Sequence, residues 1–211
     1  MTPTLIIFLK EPVPGRVKTR LARDVGPVAA AGWYRHQASR LLRALGRDPR
    51  WRVVLALSPD GAVLSSRAWS QGFARMGQGR GSLGARMARS LAAGGPGPVV
   101  LIGSDVPGVG CAEIAAAFQA LRGADAVIGP SPDGGFWLIG LAAGRRLPGR
   151  RLAGPAAGQG VVGRLEPVRW SSPHARADTL ARLHPLRVAF APERRDVDDL
   201  SDIEALGLPS P

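Results

Sequence analysis

Two lysines and a few aspartates are the side chains in this chain most suited to chemistry. Lys10 and Lys18 are the only lysines among 28 lysines and arginines. Both lie in the segment Lys10-Glu-Pro-Val-Pro-Gly-Arg-Val-Lys-Thr-Arg-Leu21, beside Arg16 and Arg20. Lysine is a compact charge suited to phosphate oxygens that move during a reaction, whereas arginine presents a rigid fork. Pro14 and Gly15 bend the backbone between these cations, so main-chain N–H groups can face the same ligand. Lys10, Pro14, Gly15, Arg16, Lys18 and Arg20 are therefore candidate residues for binding an anionic group such as a phosphate. The plain alternative is two solvated lysines near a helix start.

Asp105 is the candidate catalytic and metal-binding carboxylate. It stands two residues beyond a run too apolar to be anything but interior, and a carboxylate that faces phosphates needs a cation between them. Mg²⁺ commonly takes one or two carboxylates together with substrate oxygens and water. A turn or helix cap would also suit an aspartate followed by Val106 and Pro107. Asp133 is a second catalytic candidate, with Gly134 and Gly135 leaving room for a ligand, although turn formation explains the triplet almost as well. Asp196 and Asp198 follow the last expected strand. Asp198 is the candidate second metal ligand, unless it only caps the final helix. His36, His174 and His184 lack metal-ligand spacing, and no nucleophile-and-base set stands out. The chemistry expected is transfer driven by positioning and charge neutralisation.

These residues need elements to hold them. Residues 5–9 form an apolar run that fits a strand covered on both faces, and residues 17–24 resume with helical spacing. The junction of strand, bend and helix start would bring N–H groups and the positive helix end to one spot. Further strands are expected at 51–57, 73–76, 98–103, 125–128, 136–141, 167–170 and 186–190. Helices are expected at 28–45, 62–70, 85–93, 113–121 and 174–183, with a closing helix after the acidic stretch 196–202. The loop at 77–84 has four glycines in eight residues, enough to let a backbone approach a ligand, so Gly81 joins the candidate binding residues. A floppy connector has the same composition. Residues 142–165 show little periodicity, and Arg145, Arg146, Arg150 and Arg151 within them read as solvated or as contacts for an anionic acceptor. Strands alternating with helices predict an α/β three-layer sandwich around a mostly parallel sheet, a single domain over 1–211.

Composition narrows the partners. The formal charge is +12, and residues 1–104 carry 16 basic against 4 acidic side chains, while 105–211 carry 12 of each. That field would concentrate a polyanionic small molecule and attract nucleic acid non-specifically. With one Tyr and five Phe, and no basic stretch interleaved with aromatics, a specific nucleic-acid module is not expected. The first apolar run is far too short for a membrane span. The lone Cys111 forbids an internal disulfide, which points to the cytoplasm.

Four segments resemble, in order, the signatures of a bacterial glycosyltransferase-like family of the radical-SAM/selenodomain-associated transferase type. They are residues 8–21, Gly103-Ser-Asp-Val-Pro107, Asp133-Gly-Gly-Phe-Trp-Leu-Ile-Gly-Leu141 and Asp196-Val-Asp-Asp-Leu200. The resemblance implies a Rossmann-like GT-A fold of the nucleotide-diphospho-sugar transferase type, shared with guanylyltransferases of the molybdenum-cofactor and phospholactate pathways. It also implies a nucleotide-activated donor and Mg²⁺ or Mn²⁺. Lys18 and Arg20 would hold the nucleotide phosphates and Asp105 the metal, with Asp133 near donor or acceptor and Asp198 at the end of the last strand. The acceptor is left open. Where the family reads Gly-Asp-Leu-Gly-Glu-Arg-Met, this chain has Gly81-Ser-Leu-Gly-Ala-Arg-Met87, without acids at Ser82 and Ala85, and Phe136 replaces a tyrosine. Glycosyl transfer is the leading expectation, nucleotidyl transfer the second, and a silent nucleotide-binding protein the third.

Overall fold

The computed structural model describes residues 1–144, 165 and 167–209. Seven strands, β1 (Thr4–Lys10), β2 (Arg52–Ser58), β3 (Ala74–Gly77), β4 (Val99–Ile102), β5 (Ala126–Pro130), β6 (Phe136–Leu141) and β7 (Val188–Phe190), form one sheet in the order β3-β2-β1-β4-β6-β5-β7. Only β6 runs antiparallel, pairing with β4 on one side and β5 on the other. The helices are α1 (Leu21–Val25), α2 (Pro27–Leu45), α3 (Ala62–Ser65), α4 (Leu83–Ala93), α5 (Cys111–Ala120), α6 (Ala175–Leu183) and α7 (Leu200–Ala205).

The three layers follow from strand alternation. Leu5, Ile7 and Leu9 of β1 enter the cluster with Tyr34, Ala38 and Leu41 of α2 and Ile114 and Ala117 of α5. Ile6 points the other way, to Met87, Ala88 and Leu91 of α4 and Leu183 beyond it. Each of the leucine, isoleucine and methionine side chains among them contributes about 1.5–3 kcal/mol when fully buried. The end of β1 is therefore pinned from both faces.

The single reversal of β6 decides where the loops meet. Ile102 at the end of β4 pairs with Leu138 near the start of β6, so the turn from β5 into β6 opens at the same sheet edge as the ends of β1 and β4. β7 runs parallel to β5 and delivers residues 191–199 there as well. In this way Lys10, Asp105, Asp133 and Asp198, scattered through the sequence, arrive at one rim.

Three local expectations are corrected. The helix expected at 17–24 is only Leu21–Val25, because Lys18 adopts a left-handed backbone with φ of 47°, which no helix continues through. Residues 62–70 form one short turn of helix, Ala62–Ser65, before the chain turns away. Residues 167–170 are not a strand: Trp170 N bonds back to Val168 O, Arg169 N donates to Asp178, and Trp170 packs on Phe136. The arginines expected at 145, 146, 150 and 151 lie outside the described residues.

Candidate active site

Lys18 is the centre of the rim. Its side chain is only 7% exposed, and its Nζ lies 2.5 Å from Asp105 Oδ2 and 3.2 Å from Asp198 Oδ1. Arg20 Nη1 contacts the other Asp198 oxygen at 2.9 Å. The left-handed backbone at Lys18 costs on the order of 1 kcal/mol. The two ion pairs offset that cost and turn the side chain inward. Burial alone would lower the pKa of the Lys18 ammonium, but the Asp105 and Asp198 charges outweigh it and hold it above the usual lysine value. Burial would likewise raise Asp105, and the adjacent Lys18 charge overrides it and keeps that carboxyl below its usual value.

Backbone bonds lock the three segments together. Val197 N donates to Asp105 O, and Leu21 N to Asp198 O, both at 3.0 Å. Lys10 N donates to Tyr34 Oη at 2.9 Å, and Tyr34 Oη lies 3.0 Å from Ser104 Oγ. Burial pushes the Tyr34 hydroxyl up to about 12, so it stays protonated as a fixed strut between β1 and β4. Asp199, not Asp198, caps α7, accepting from Asp202 N. Asp198 is thereby left to face the cations.

Two cavities open at this rim. The first, about 540 Å³, is lined by Lys10, Lys18, Arg20 and Arg86 with Asp105, Asp198, Tyr34 and Gln78. The second, about 390 Å³, is lined by Asp133, Asp196 and Asp198 with Ser131, Phe136 and Trp170. Arg20, Phe136 and Asp198 border both, so the cavities adjoin. Asp196 is pushed up to about 6 by burial and by the neighbouring charges of Asp105, Asp198 and Asp133. Four carboxylates thus share one field.

Not every expected residue reaches the cavities. Lys10, Lys18, Arg20, Asp105, Asp133, Gly135 and Asp198 line them, whereas Pro14, Gly15, Arg16, Gly81 and Gly134 do not. Gly134 serves the turn instead: at φ of 83° its α-carbon faces the Pro173 backbone so closely that a β-carbon would clash. The positive end of α1 is not open to a ligand, because Leu21 N is taken by Asp198 O and the helix is five residues long. Side chains rather than a helix terminus supply the positive charge. Ser82 caps α4 by accepting from Ala85 N at 3.1 Å, and neither Ser82 nor Ala85 lines either of these two cavities.

Sequence reasoning missed Tyr34, Gln78 and Arg86. Gln78 is buried, donates from Nε2 to Leu9 O at 3.2 Å and to Ala56 O at 2.9 Å, and accepts from Arg86 Nη1 at 3.0 Å. Arg86 Nε is buried without a hydrogen-bond partner. A glutamine inside a glycine-rich stretch at a strand end was the available signal.

Among the described residues no three carboxylate, histidine or cysteine side chains stand close enough to hold a metal alone. Asp105 and Asp198 nevertheless converge on one positive charge, that of Lys18. Two hard oxygen donors beside a cation-lined cavity fit Mg²⁺ or Mn²⁺, which would complete their shells with ligand oxygens and water. No helix among the described residues is long and apolar enough to cross a membrane.

The comparisons agree with the fold. The family described as uncharacterized protein conserved in bacteria (DUF2064) matches residues 41–171. A solved structure of a candidate nucleotide-diphospho-sugar transferase from Desulfovibrio desulfuricans G20 is 30% identical, with a TM-score of 0.82 over 98% of this chain and 87% of that one. Rv0371C from Mycobacterium tuberculosis H37Rv, solved in complex with manganese, shares the fold at 14% identity, with a TM-score of 0.54 over 98% of each chain. The 4-diphosphocytidyl-2C-methyl-D-erythritol synthase of Anaerococcus prevotii DSM 20548 shares it at 10% identity, with a TM-score of 0.56 over 97% of this chain and 95% of that one. No curated protein matches the chain.

Proposed function

The chain belongs to the DUF2064 family, and we propose that it is a divalent-metal-dependent transferase, most simply a glycosyltransferase, that uses a nucleotide-diphospho-sugar donor. The observation that carries this reading is Lys18 held between Asp105 and Asp198 in a cavity that also presents Lys10, Arg20 and Arg86. Four cations against two carboxylates leave a surplus of positive charge matched to a diphosphate. Lys18 and Arg20 turn from the carboxylates to the donor phosphates when the donor arrives, Lys10 and Arg86 hold the far oxygens, and Tyr34 keeps β1 and β4 at fixed separation. Asp105 and Asp198 would hold Mg²⁺ or Mn²⁺, which when bound supplies charge neutralisation for a departing diphosphate.

The similarity to a candidate nucleotide-diphospho-sugar transferase at 30% identity supports the reading, as does the manganese bound by Rv0371C on the same fold. The test is calorimetric titration of UDP and GDP with and without Mn²⁺, followed by release of free diphosphate from the corresponding nucleotide sugars. Binding that needs the metal and turnover that drops at least 100-fold in Asp105→Asn are expected. No binding of any nucleoside diphosphate would sink the reading.

Nucleotidyl transfer is the second reading, favoured by the fold shared with the 4-diphosphocytidyl-2C-methyl-D-erythritol synthase of Anaerococcus prevotii. In that case nucleoside triphosphates, rather than nucleotide sugars, would be consumed with release of pyrophosphate.

A further inference from the structure

The two cavities differ in sign, although they share a wall. The first carries Lys10, Lys18, Arg20 and Arg86 against Asp105 and Asp198; the second carries Asp133, Asp196 and Asp198 against Arg20 alone among the described residues. Phe136 and Trp170 meet edge to face at 6.1 Å and 70° in the second cavity, and Ser131, Ser171 and Ser172 add hydroxyl or backbone polar groups around them. An apolar wall with a few convergent polar groups is the usual make-up of a small-molecule site. A phosphorylated molecule entering it would meet two or three negative charges within a space too small to screen them.

We infer that the second cavity is the acceptor subsite and takes an uncharged, hydroxyl-bearing molecule with an apolar face, such as a sugar-like or aryl alcohol, and excludes phosphorylated ones. This rests on the transferase reading and adds the class of acceptor to it. The apolar face lies on Phe136 and Trp170, and the hydroxyls donate to carboxylate oxygens, which only accept. In the transfer itself the acceptor oxygen bonds to the anomeric carbon of the donor as the bond from that carbon to the diphosphate oxygen breaks. The diphosphate leaves with the bonding pair into the cationic cavity, and the acceptor proton passes to the Asp133 carboxylate. A cation on Asp105 and Asp198 would still leave Asp133 and Asp196 facing the acceptor, so the selectivity persists when the metal is bound.

The test compares ligands that differ only by a phosphate. A panel of aryl hexosides, beginning with 4-nitrophenyl β-D-glucopyranoside, and their 6-phosphates are titrated against the full chain by saturation-transfer NMR, with UDP and Mn²⁺ measured separately. A neutral member should bind at least tenfold more tightly than its phosphate. Trp170→Ala should weaken the neutral ligand severalfold without changing the UDP affinity, and Asp133→Asn should improve the phosphorylated ligand at least threefold. Tighter or equal binding of the phosphates, or binding of no neutral member, overturns the assignment, as does a folded Trp170→Ala with unaltered glucoside affinity. The Asp133→Asn arm stands even where Trp170→Ala fails to fold. Loss of UDP binding in the unmodified chain would instead strike the transferase reading, so the two failures are told apart.

Discussion

The Lys18 ammonium and the Asp105 carboxylate lie 87 positions apart in the chain and meet at 2.5 Å, with the lysine side chain 7% exposed and the aspartate 28%. Removing one member of such a pair strands the other charge in a poorly solvated place. Lys18→Met should therefore cost about 3 kcal/mol of stability, at the lower end of the buried-pair range because Asp105 borders the cleft. The same change removes a charge-assisted bond to phosphate worth about 1.5–3 kcal/mol, a loss of about 10–150-fold in nucleoside diphosphate affinity. Denaturant melts and calorimetry measure the two effects. An unchanged melt would mean that Lys18 already faces water.

Lys18 also competes with any cation for Asp105 and Asp198. Lys18→Met should therefore tighten Mn²⁺ binding in the absence of nucleotide by about tenfold, the equivalent of about 1.4 kcal/mol. The gain should vanish in Lys18→Met/Asp105→Asn. Titration of Mn²⁺ by electron paramagnetic resonance reads free ion directly, and equal affinities for the single variant and the unmodified chain would remove Asp105 from the metal site.

Much of the frame behind these predictions was legible in the sequence. The strand expected at 136–141 matches Phe136–Leu141, and the helix expected at 28–45 is Pro27–Leu45, because long apolar or amphipathic runs state their period without help from neighbours. The carboxylates of the rim were legible too, since each follows a run that had to be interior. What the sequence could not state was any property that depends on a distant partner. The left-handed turn at Lys18 exists because Asp105 and Asp198 draw its side chain inward. Whether Asp198 or Asp199 caps the last helix depends on which of them Arg20 and Lys18 engage. The segment 167–170 has strand-like composition, but Trp170 N bonds back to Val168 O and Arg169 to Asp178, partners the sequence does not announce.

Asp196 is strained by the company it keeps. Its carboxyl is pushed up to about 6 from 3.8 by burial and by Asp105, Asp198 and Asp133. The native state therefore holds a proton that the unfolded chain releases, so this residue's relative contribution to stability is fully present below pH 3.8 and is lost as the pH rises through 6. Asp196→Asn should stabilise the protein at pH 7.5 by roughly 1–2 kcal/mol, reduced from the full linkage value because the side chain is partly solvated. At pH 4 it should do almost nothing. Thermal melts at the two pH values check this, and an equal gain at both would mean that the effect is packing rather than charge.

Gln78 sets Arg86 in place through a bond that a double-mutant cycle can isolate. Its Nε2 serves the carbonyls of Leu9 and Ala56, and its Oε1 accepts from Arg86 Nη1 at 3.0 Å. Gln78→Leu keeps the volume but removes hydrogen bonds to two carbonyls that the β1–β2 ladder also engages and to one guanidinium N–H, a cost of about 1–3 kcal/mol. If the amide also aims Arg86 at the phosphates, the substitution should weaken nucleoside diphosphate binding about three- to tenfold. Arg86→Ala should weaken binding by at least as much, and Gln78→Leu added to Arg86→Ala should weaken it no further. Additive losses in the double variant would show that Gln78 and Arg86 act on the ligand separately. The stability loss would then be the only consequence of their contact.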